Sequence, residues 1–307
     1  MPQPPVPRRA LVLLAILTLV WGTNWPLFPL AVREVSVWTF RAVAVLVAGC
    51  VLLVIAKARG QSLRIPSKHW PAVLAATSFY LVIWNIASTY SAILIPSGQS
   101  AVLGFTMPLW AGLIAWLVLG ERPTARLAWA IGLGSAGVTL LMIPNFGAYA
   151  SAPLGLALGL LSGIGWAIGT LILKRRPVEA PITVLTGWQL LLAGVPITIG
   201  ALVMGDGHWF MPTWESVAVI AYISLVPMCI GNVCWFAIAS LLPANVSGLS
   251  SVMVPVVAMV SGAVVHGEPL GPLQLLAMAC SVAALSLALL RPRATPSLQH
   301  AGDRTGP

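Results

Sequence analysis

Aromatic and amide side chains are the groups with useful chemistry that lie deep inside the apolar stretches of this sequence. Trp21 and Trp25, four residues apart, share one face of a helix with Asn24 beside them, and Tyr80 and Trp84 have the same spacing. An indole combines an apolar ring, whose face attracts cations, with one N–H donor. A cavity with such walls would accept apolar or zwitterionic solutes of modest size and would offer a ring face to an ammonium group.

The candidate contacts with a bound solute share aromatic, amide, hydroxyl or thioether chemistry. They are Trp21, Asn24, Tyr80, Trp84, Asn85, Gln99, Trp110, Trp166, Trp188, Asn232, Ser247, Ser251 and Met253. Two alternatives stay open. A tryptophan in mid-segment can equally face lipid or fill the core, and Asn85 and Asn232 can equally form hydrogen bonds between helices that lock the bundle.

Acidic and metal-binding side chains, in contrast, avoid the middle of the apolar segments. All seven acidic residues lie in loops, tails or helix ends: Glu34, Glu121, Glu179, Asp206, Glu215, Glu268 and Asp303. The four histidines are also terminal, and the four cysteines show no zinc-type spacing with histidine. The pattern predicts no catalytic residue, no metal site and no cofactor. It also leaves no carboxylate at depth that could bind a proton or a sodium ion.

The elements that must hold these side chains are membrane-spanning helices. The 307 residues are 59% hydrophobic and 7% charged, the reverse of the balance in a water-soluble protein. A bilayer core of about 30 Å needs roughly 20 apolar residues per helix. Ten such segments are predicted, at 11–31, 37–56, 71–94, 99–119, 125–143, 153–173, 182–204, 216–241, 246–265 and 272–290. The predicted fold class is therefore an all-α membrane protein with ten transmembrane helices.

The basic residues indicate how these helices are oriented. Fourteen of the sixteen lysines and arginines fall on one side of the membrane if the amino terminus is cytoplasmic, which places both termini in the cytoplasm. The net charge of +9 therefore reflects topology, and no nucleic-acid partner is expected. The exceptions are Arg33 and Arg41. Arg41 aligns with Gln189 of the second half and is expected to snorkel or to cap a helix, with contact to a substrate carboxylate as the alternative.

The sequence contains an internal repeat with an offset of 147 residues. Asn85, Pro96, Pro108, Gly120 and Glu121 recur in the same order as Asn232, Pro243, Pro255, Gly267 and Glu268. Each copy holds five predicted spans, so the second copy enters the bilayer with the opposite orientation. The predicted units are a first five-helix repeat at 1–145, an inverted repeat at 146–291 and a disordered cytoplasmic tail at 292–307.

Several repeated residues have predicted structural roles. Pro108 and Pro255 lie near the middle of the fourth and ninth spans and are candidate hinges, because proline removes a backbone hydrogen bond. Glu121 and Glu268 follow helix ends, where a carboxylate can stabilise the amino terminus of a helix. Glycines at four-residue spacing in the sixth span, Gly155, Gly159 and Gly163, predict close helix packing.

The sequence resembles the drug/metabolite transporter superfamily, in particular its EamA branch and within that the YddG-type amino-acid exporters. The resemblance is carried by Trp-Gly-Thr-Asn-Trp at 21–25, Gly-Glu-Arg at 120–122 and the two five-helix halves. It implies a cavity lined by the first, third, fourth, sixth, eighth and ninth helices. One departure is Pro269, which stands where the first half has an arginine after Gly-Glu.

These observations together predict a carrier of the inner membrane that exports amino acids, including aromatic and other neutral ones, by alternating access and without strong ion coupling. The expected partners are a small-molecule substrate and membrane lipid, and the oligomeric state stays open, with a monomer as one option. An exporter of purines or neutral drugs is the alternative. An intramembrane enzyme is disfavoured, because it would need a nucleophile–base pair or a metal cluster at depth.

Overall fold

The structure is a computed structural model that describes residues 8–118, 120, 125–142, 152–205, 212–234 and 244–289. Every regular element within these ranges is a helix. The 292–307 tail, the 143–151 segment between the two predicted halves, and Glu121 lie outside the described residues.

The described part of the predicted first half consists of α-helices joined by short connections. In chain order they are α1 (Arg8–Gly22), α2 (Leu27–Ala31), α3 (Val37–Ala58), α4 (Trp70–Thr77), α5 (Trp84–Leu94), α6 (Ser97–Gly104), α7 (Met107–Leu117) and α8 (Ala125–Met142). A short 3₁₀ turn, Ser67–His69, leads into α4, and a π-helix named π1 (Ser78–Ile83) joins α4 to α5 without a break.

The described part of the second half has fewer and longer helices. They are α9 (Pro153–Arg175), α10 (Ile182–Met204), α11 (Trp214–Leu225), α12 (Ala244–His266) and α13 (Pro272–Leu289). A second π-helix, π2 (Val226–Gly231), continues α11.

Six helical stretches of the described chain are long and apolar enough to cross a bilayer. They are Val37–Ala58, Ser67–Leu94, Ser97–Leu117, Pro153–Leu173, Ile182–Met204 and Trp214–Cys234. Shorter apolar helices cover Val254–His266 and Pro272–Ala284. The described chain is thus all-helical with apolar stretches of membrane-spanning length, and six of the ten predicted spans correspond to these stretches.

Two of the predicted spans contain an interruption. The span predicted at 11–31 is split into α1 and α2 by a turn at residues 23–26, where Pro26 has no N–H to continue the ladder. The span predicted at 99–119 is divided between α6 and α7, so Pro108 lies in the first turn of a new helix. Proline is tolerated there. Pro255, in contrast, is buried inside the continuous helix α12. The two prolines therefore have different local settings, although the repeat predicted equivalent ones.

Helix α9 approaches its neighbours through glycines, as the four-residue spacing predicted. A Cβ added to Gly163 would lie 3.0 Å from the carbonyl oxygen of Gly104, and one added to Gly165 would lie 2.8 Å from that of Phe79. At such distances a side chain would force the helices apart. The close approach brings Trp166, which directly follows Gly165 in α9, next to π1 and α6.

The repeated glycines have a common backbone conformation. Gly120 and Gly267 adopt φ values of +71° and +64°, in the left-handed region that glycine accepts without steric cost. The N–H of Gly267 donates to the carbonyl oxygen of Ala263 at 3.0 Å and so closes the end of α12. The recurrence of glycine at this offset is therefore explained by the way helices end.

Candidate functional site

A cavity lies among the helices at the level where α1 ends and the two π-helices begin. It encloses about 630 Å³ of empty space, including its open part. Aromatic, amide and aliphatic side chains form most of the wall: Trp21, Asn24, Trp25, Phe28, Arg41, Tyr80, Leu81, Trp84, Asn85, Phe105, Met107, Trp166, Leu190, Pro227, Met228 and Asn232. Both predicted halves contribute to it.

The structure brings seven of the predicted site residues together at this cavity. They are Trp21, Asn24, Tyr80, Trp84, Asn85, Trp166 and Asn232. Three others lie elsewhere. Gln99 is buried in α6, the indole of Trp110 donates to Thr106 Oγ1 at 3.0 Å, and that of Trp188 donates to the carbonyl oxygen of Leu63 at 2.8 Å. Trp188 thus connects α10 to the segment before α4, Trp110 bonds to the N-cap residue of its own helix α7, and neither lines the cavity.

The remaining predicted positions divide according to what is described. The side chains of Ser247, Ser251, Met253 and Pro108 lie outside the described residues. Pro255 is buried in α12 and is not part of the cavity wall. The predicted hinge function of the two prolines stays a prediction.

Trp166 is the centre of a cluster of aromatic rings. Its ring centroid lies 4.2 Å from that of Tyr80, 4.6 Å from that of Trp84 and 6.3 Å from that of Trp21, all with edge-to-face geometry. Trp25 continues the cluster through Trp84, at 5.9 Å. Edge-to-face contacts hold rings in defined orientations. Part of the wall is therefore a rigid aromatic surface to which α1, π1, α5 and α9 all contribute.

Asn85 and Asn232 form equivalent hydrogen bonds near the ends of the two π-helices. Asn85 lies two residues after π1, and Asn232 directly follows π2. Nδ2 of Asn85 donates to the carbonyl oxygen of Leu81 at 2.8 Å, and Nδ2 of Asn232 donates to that of Met228 at 2.5 Å. In both pairs the acceptor is four residues earlier, and the two pairs are related by the 147-residue offset. Each amide side chain thus adds a hydrogen bond to a backbone carbonyl of the π-helix that precedes it.

These contacts determine which atoms the asparagines can offer to a solute. Both amide nitrogens are used within their own helix, which differs from the predicted alternative of a lock between helices. The amide oxygens of such residues are acceptors. Oδ1 of Asn85 and Oδ1 of Asn24, which also lines the cavity, are buried and have no hydrogen-bond partner within the described chain. The site therefore presents two asparagine oxygens as hydrogen-bond acceptors.

Arg41 lies in the wall of the cavity, and the expectation that it snorkels or caps a helix is wrong. Its exposed fraction is 1%. Its guanidinium lies 4.2 Å from the ring centroid of Phe28 and 4.7 Å from that of Phe40, and Nε donates to Thr89 Oγ1 at 2.5 Å. The sequence position near a helix start suggested access to the interface. The packing of α2 and α5 over the start of α3 removes that access.

The described carboxylates lie away from the cavity, and none of them is part of the described cavity wall. Glu34 accepts hydrogen bonds from Thr213, at 2.8 Å from the backbone nitrogen and 2.9 Å from Oγ1. Hydrogen bonding, from Ser216 first and then from Thr213, lowers the pKa of Glu34. Glu179 pairs with Lys68 at 2.9 Å, and this hydrogen bond is the main cause that lowers the pKa of Glu179.

Glu268 connects the two predicted halves. One carboxylate oxygen accepts from both N and Oγ of Ser97 at 2.7 Å, and the other accepts from N of Gly98 at 3.1 Å. Glu268 therefore stabilises the amino terminus of a helix, as predicted for its type of position. The helix is α6 of the first half and not the one that follows Glu268 in the chain.

Several cavity residues were not among the candidates. Trp25, Phe28, Phe105, Met107, Leu190, Pro227 and Met228 line the wall in addition to Arg41. Trp25 could have been predicted from the sequence, because its spacing places it on the same helix face as Trp21. The others resemble the apolar residues on every side of each span, so nothing in their type or spacing distinguishes them.

A solved structure and related protein sequences provide independent comparisons. One crystal structure aligns with a TM-score of 0.66 and 19% identity, covering 91% of this chain and 96% of the other, which shows a shared fold. The transporter YvbV of Bacillus subtilis is 26% identical over 270 residues, 88% of each chain. The inner membrane transporter YedA of Escherichia coli K12 is 26% identical over 297 residues, 94% of this chain and 95% of the relative.

A third relative has a named substrate. The threonine/homoserine exporter RhtA of Escherichia coli K12 is 29% identical over 191 residues, which is 62% of this chain and 61% of the relative. The family model that matches is described as the EamA-like transporter family, and it matches twice, at residues 8–143 and 153–290. Since these two matches cover most of the sequence, the chain belongs to the EamA-like transporter family and is a multi-pass membrane transporter of small molecules.

Proposed function

We propose that this transporter exports neutral amino acids, aromatic ones included, across the inner membrane. The observation that carries the proposal is the cavity between the helices, which combines a cluster of aromatic rings with two asparagine oxygens and a buried arginine. An amino acid has an apolar side chain, an ammonium group that needs acceptors and a carboxylate that needs donors. The cavity offers a matching surface for each of the three.

The relatives support the same substrate class and location. RhtA is named as a threonine/homoserine exporter and YedA as an inner membrane transporter. Identity of 26% to 29% leaves room for a different side-chain preference. The aromatic surface of this cavity favours apolar and aromatic side chains as well as small ones.

We further propose that transport uses alternating access between two inverted five-helix halves, 1–145 and 146–291. Support comes from the double family match, from the equivalent asparagine contacts after π1 and π2, and from the left-handed glycines at the same offset. Carriers built in this way have their site where the halves meet. Bending about Pro108 and Pro255 would contribute to the change of access.

A second candidate is an exporter of purines or other neutral planar solutes. It is favoured by one observation, the cluster of rings around Trp166, because flat heterocycles stack on aromatic side chains. This second candidate function does not explain the buried positive charge of Arg41 in the cavity wall.

Purified protein in liposomes tests the proposal directly. We expect saturable uptake of labelled phenylalanine, threonine or related amino acids, competed by the unlabelled compound and absent from empty liposomes. Labelled adenine and a lipophilic cation serve as comparison solutes. Uptake of either comparison solute together with no amino-acid uptake would overturn the proposed substrate class.

A further inference from the structure

Arg41 is a cation buried among the helices, a placement that costs free energy unless the charge is compensated. Within the described chain, the compensation consists of two ring faces and one hydroxyl. The rings of Phe28 and Phe40 lie against the guanidinium, and Thr89 accepts from Nε. Cation–π contacts and one hydrogen bond to a neutral oxygen compensate the charge only in part.

No ion pair to Arg41 is formed by the carboxylates that the structure describes. Glu34, the nearest described acid in the sequence, is bound to Thr213, and Glu268 is bound to Ser97 and Gly98. Nη2 of Arg41 is buried and has no partner within the described ranges. A strong donor therefore lies in the cavity wall without an anion.

A chain of hydrogen bonds holds this donor in one orientation. Thr89 Oγ1 donates its hydrogen to the carbonyl oxygen of Asn85 at 2.7 Å, so its lone pairs face Nε of Arg41 at 2.5 Å. Asn85 in turn donates from its side chain to Leu81 in π1. Because Nε is occupied and the rings cover the guanidinium, the Nη2 side is the part left for a ligand.

From this geometry, and resting on the proposed function, we propose that Arg41 binds the carboxylate of the transported solute, so that transport requires a free carboxylate. A guanidinium bound to a carboxylate forms charge-assisted hydrogen bonds, the strongest kind in proteins. Oδ1 of Asn24 and Oδ1 of Asn85, both buried without a partner within the described chain, then accept from the ammonium group. The transported class is zwitterionic amino acids with both groups free, and it excludes their amides and the corresponding amines.

The first experiment uses the wild-type protein and needs no variant. Uptake into proteoliposomes is compared for labelled phenylalanine, phenylalaninamide and phenethylamine, which share the side chain and differ in the carboxylate. We expect kcat/KM for phenylalanine to exceed that for the other two by roughly tenfold or more, the effect of one charge-assisted hydrogen bond. Equal transport of the acid and the amide would overturn the inference while leaving an amino-acid exporter in place.

The second experiment places the selectivity at Arg41. Arg41→Gln should lower phenylalanine transport by roughly tenfold or more and reduce the preference for the acid over the amide, and Arg41→Lys should keep part of both. Arg33→Gln, which removes an exposed arginine from the stretch before α3, should behave as wild type. Preference unchanged in Arg41→Gln would overturn the assignment.

Two controls separate the possible failures. Thermal unfolding of each variant is followed in detergent, and binding to variants that fold is measured by quenching of tryptophan fluorescence with phenylalanine or its amide. If Arg41→Gln does not fold, the wild-type comparison of acid and amide still decides the question. If wild type transports neither compound in a saturable way, the proposed function fails, and the carboxylate assignment fails with it.

Discussion

At the scale of single residues, Trp166 decides the shape of the cavity. It has ring contacts with Tyr80, Trp84 and Trp21, which belong to three different helical segments, and glycines on either side of it allow this approach. A side chain with so many ring contacts both orders the wall and forms part of it. Its replacement should therefore change solute binding at a smaller cost to the fold than replacement of a residue in the helix contacts themselves.

We expect Trp166→Phe to raise the KM for phenylalanine by roughly three- to tenfold, because one or two edge-to-face contacts, worth about 0.5–1.5 kcal/mol each, are weakened. The measurement is uptake into proteoliposomes together with fluorescence titration. Trp129→Phe is the matched control, since Trp129 is 71% exposed on α8 and away from the cavity wall. A KM unchanged in both variants would show that the ring cluster does not contact the solute.

The pKa of Glu34 leads to a prediction about stability and pH. Because hydrogen bonds from Ser216 and Thr213 lower the pKa of Glu34 below its ordinary value of 4.5, its ionised form stabilises the fold above that pH. The contribution is lost as the pH falls through the lowered value. We expect the Tm of the purified protein to decrease below about pH 4.5 and to decrease less in Glu34→Gln.

Two other acids define the specificity of this effect. Glu179, which pairs with Lys68 and has a lowered pKa for that reason, should give a similar partial loss, so Glu34→Gln removes only part of the acid dependence. Glu215→Gln changes an exposed acid beside Ser216 and should keep the wild-type profile. If Tm falls with decreasing pH in the same way in wild type and in Glu34→Gln, the hydrogen bonds between Glu34 and the start of α11 do not stabilise the fold.

At the scale of elements, the polar groups near the cavity lie where helices end or change from one helix type to another. α1 ends at a turn, α4 and α11 pass into π1 and π2, and α6 gives way to α7 at residues 105–106. Each irregularity frees backbone groups that must find partners. In π1 and π2 an asparagine side chain donates to one backbone carbonyl, at positions related by the 147-residue offset.

The carboxylate of Glu268 accepts hydrogen bonds at the amino terminus of α6. This is the clearest polar contact between elements of the two predicted halves. We expect Glu268→Gln and Ser97→Ala each to lower stability by about 0.5–2 kcal/mol, the usual effect of removing a helix cap. The double variant should cost less than the sum of the two, because both changes remove the contact between one carboxylate and one hydroxyl. The measurement is thermal unfolding in detergent, and strict additivity would mean that the two side chains do not act together.

At the scale of the whole molecule, the distribution of charge indicates how transport is driven. The four described carboxylates lie outside the cavity wall, and three of them are bound to groups elsewhere: Glu34 to Thr213, Glu179 to Lys68 and Glu268 to Ser97 and Gly98. The cavity therefore has a fixed positive group but no described acid that could exchange a proton or bind sodium. Such a carrier would move its solute down the gradient of the solute itself.

We expect amino-acid uptake into proteoliposomes to have the same initial rate with or without an imposed pH or sodium gradient. Counterflow, in which internal unlabelled solute accelerates entry of labelled solute, should occur without any ion gradient. A rate that rises several-fold with a pH gradient would contradict the uncoupled mechanism. The rate in the presence of an ionophore controls for membrane potential, which acts on any net charge that moves.

The sequence alone was sufficient for the class of the molecule and for part of the site. Composition predicted membrane helices, and the Trp-Gly-Thr-Asn-Trp and Gly-Glu-Arg motifs indicated the family that the comparison then established. Seven of the predicted contacts, among them Trp166 and both asparagines, line the cavity. Aromatic and amide residues could be identified in this way because they are exceptions inside apolar segments, where each polar group needs a reason.

Tertiary structure decided the rest, since it depends on which helix faces which. Trp188 and Trp110 are tryptophans like Trp166, but the indole of Trp188 donates to another element and that of Trp110 donates within its own helix. The sequence indicated an interfacial position for Arg41, whereas α2 and α5 cover it in the structure. When a helix is apolar on every face, the periodicity of its sequence does not distinguish side chains that face lipid from side chains that face the cavity. Only the close approach of helices through glycine, and the turns that break α1 and α6, determined which side chains meet.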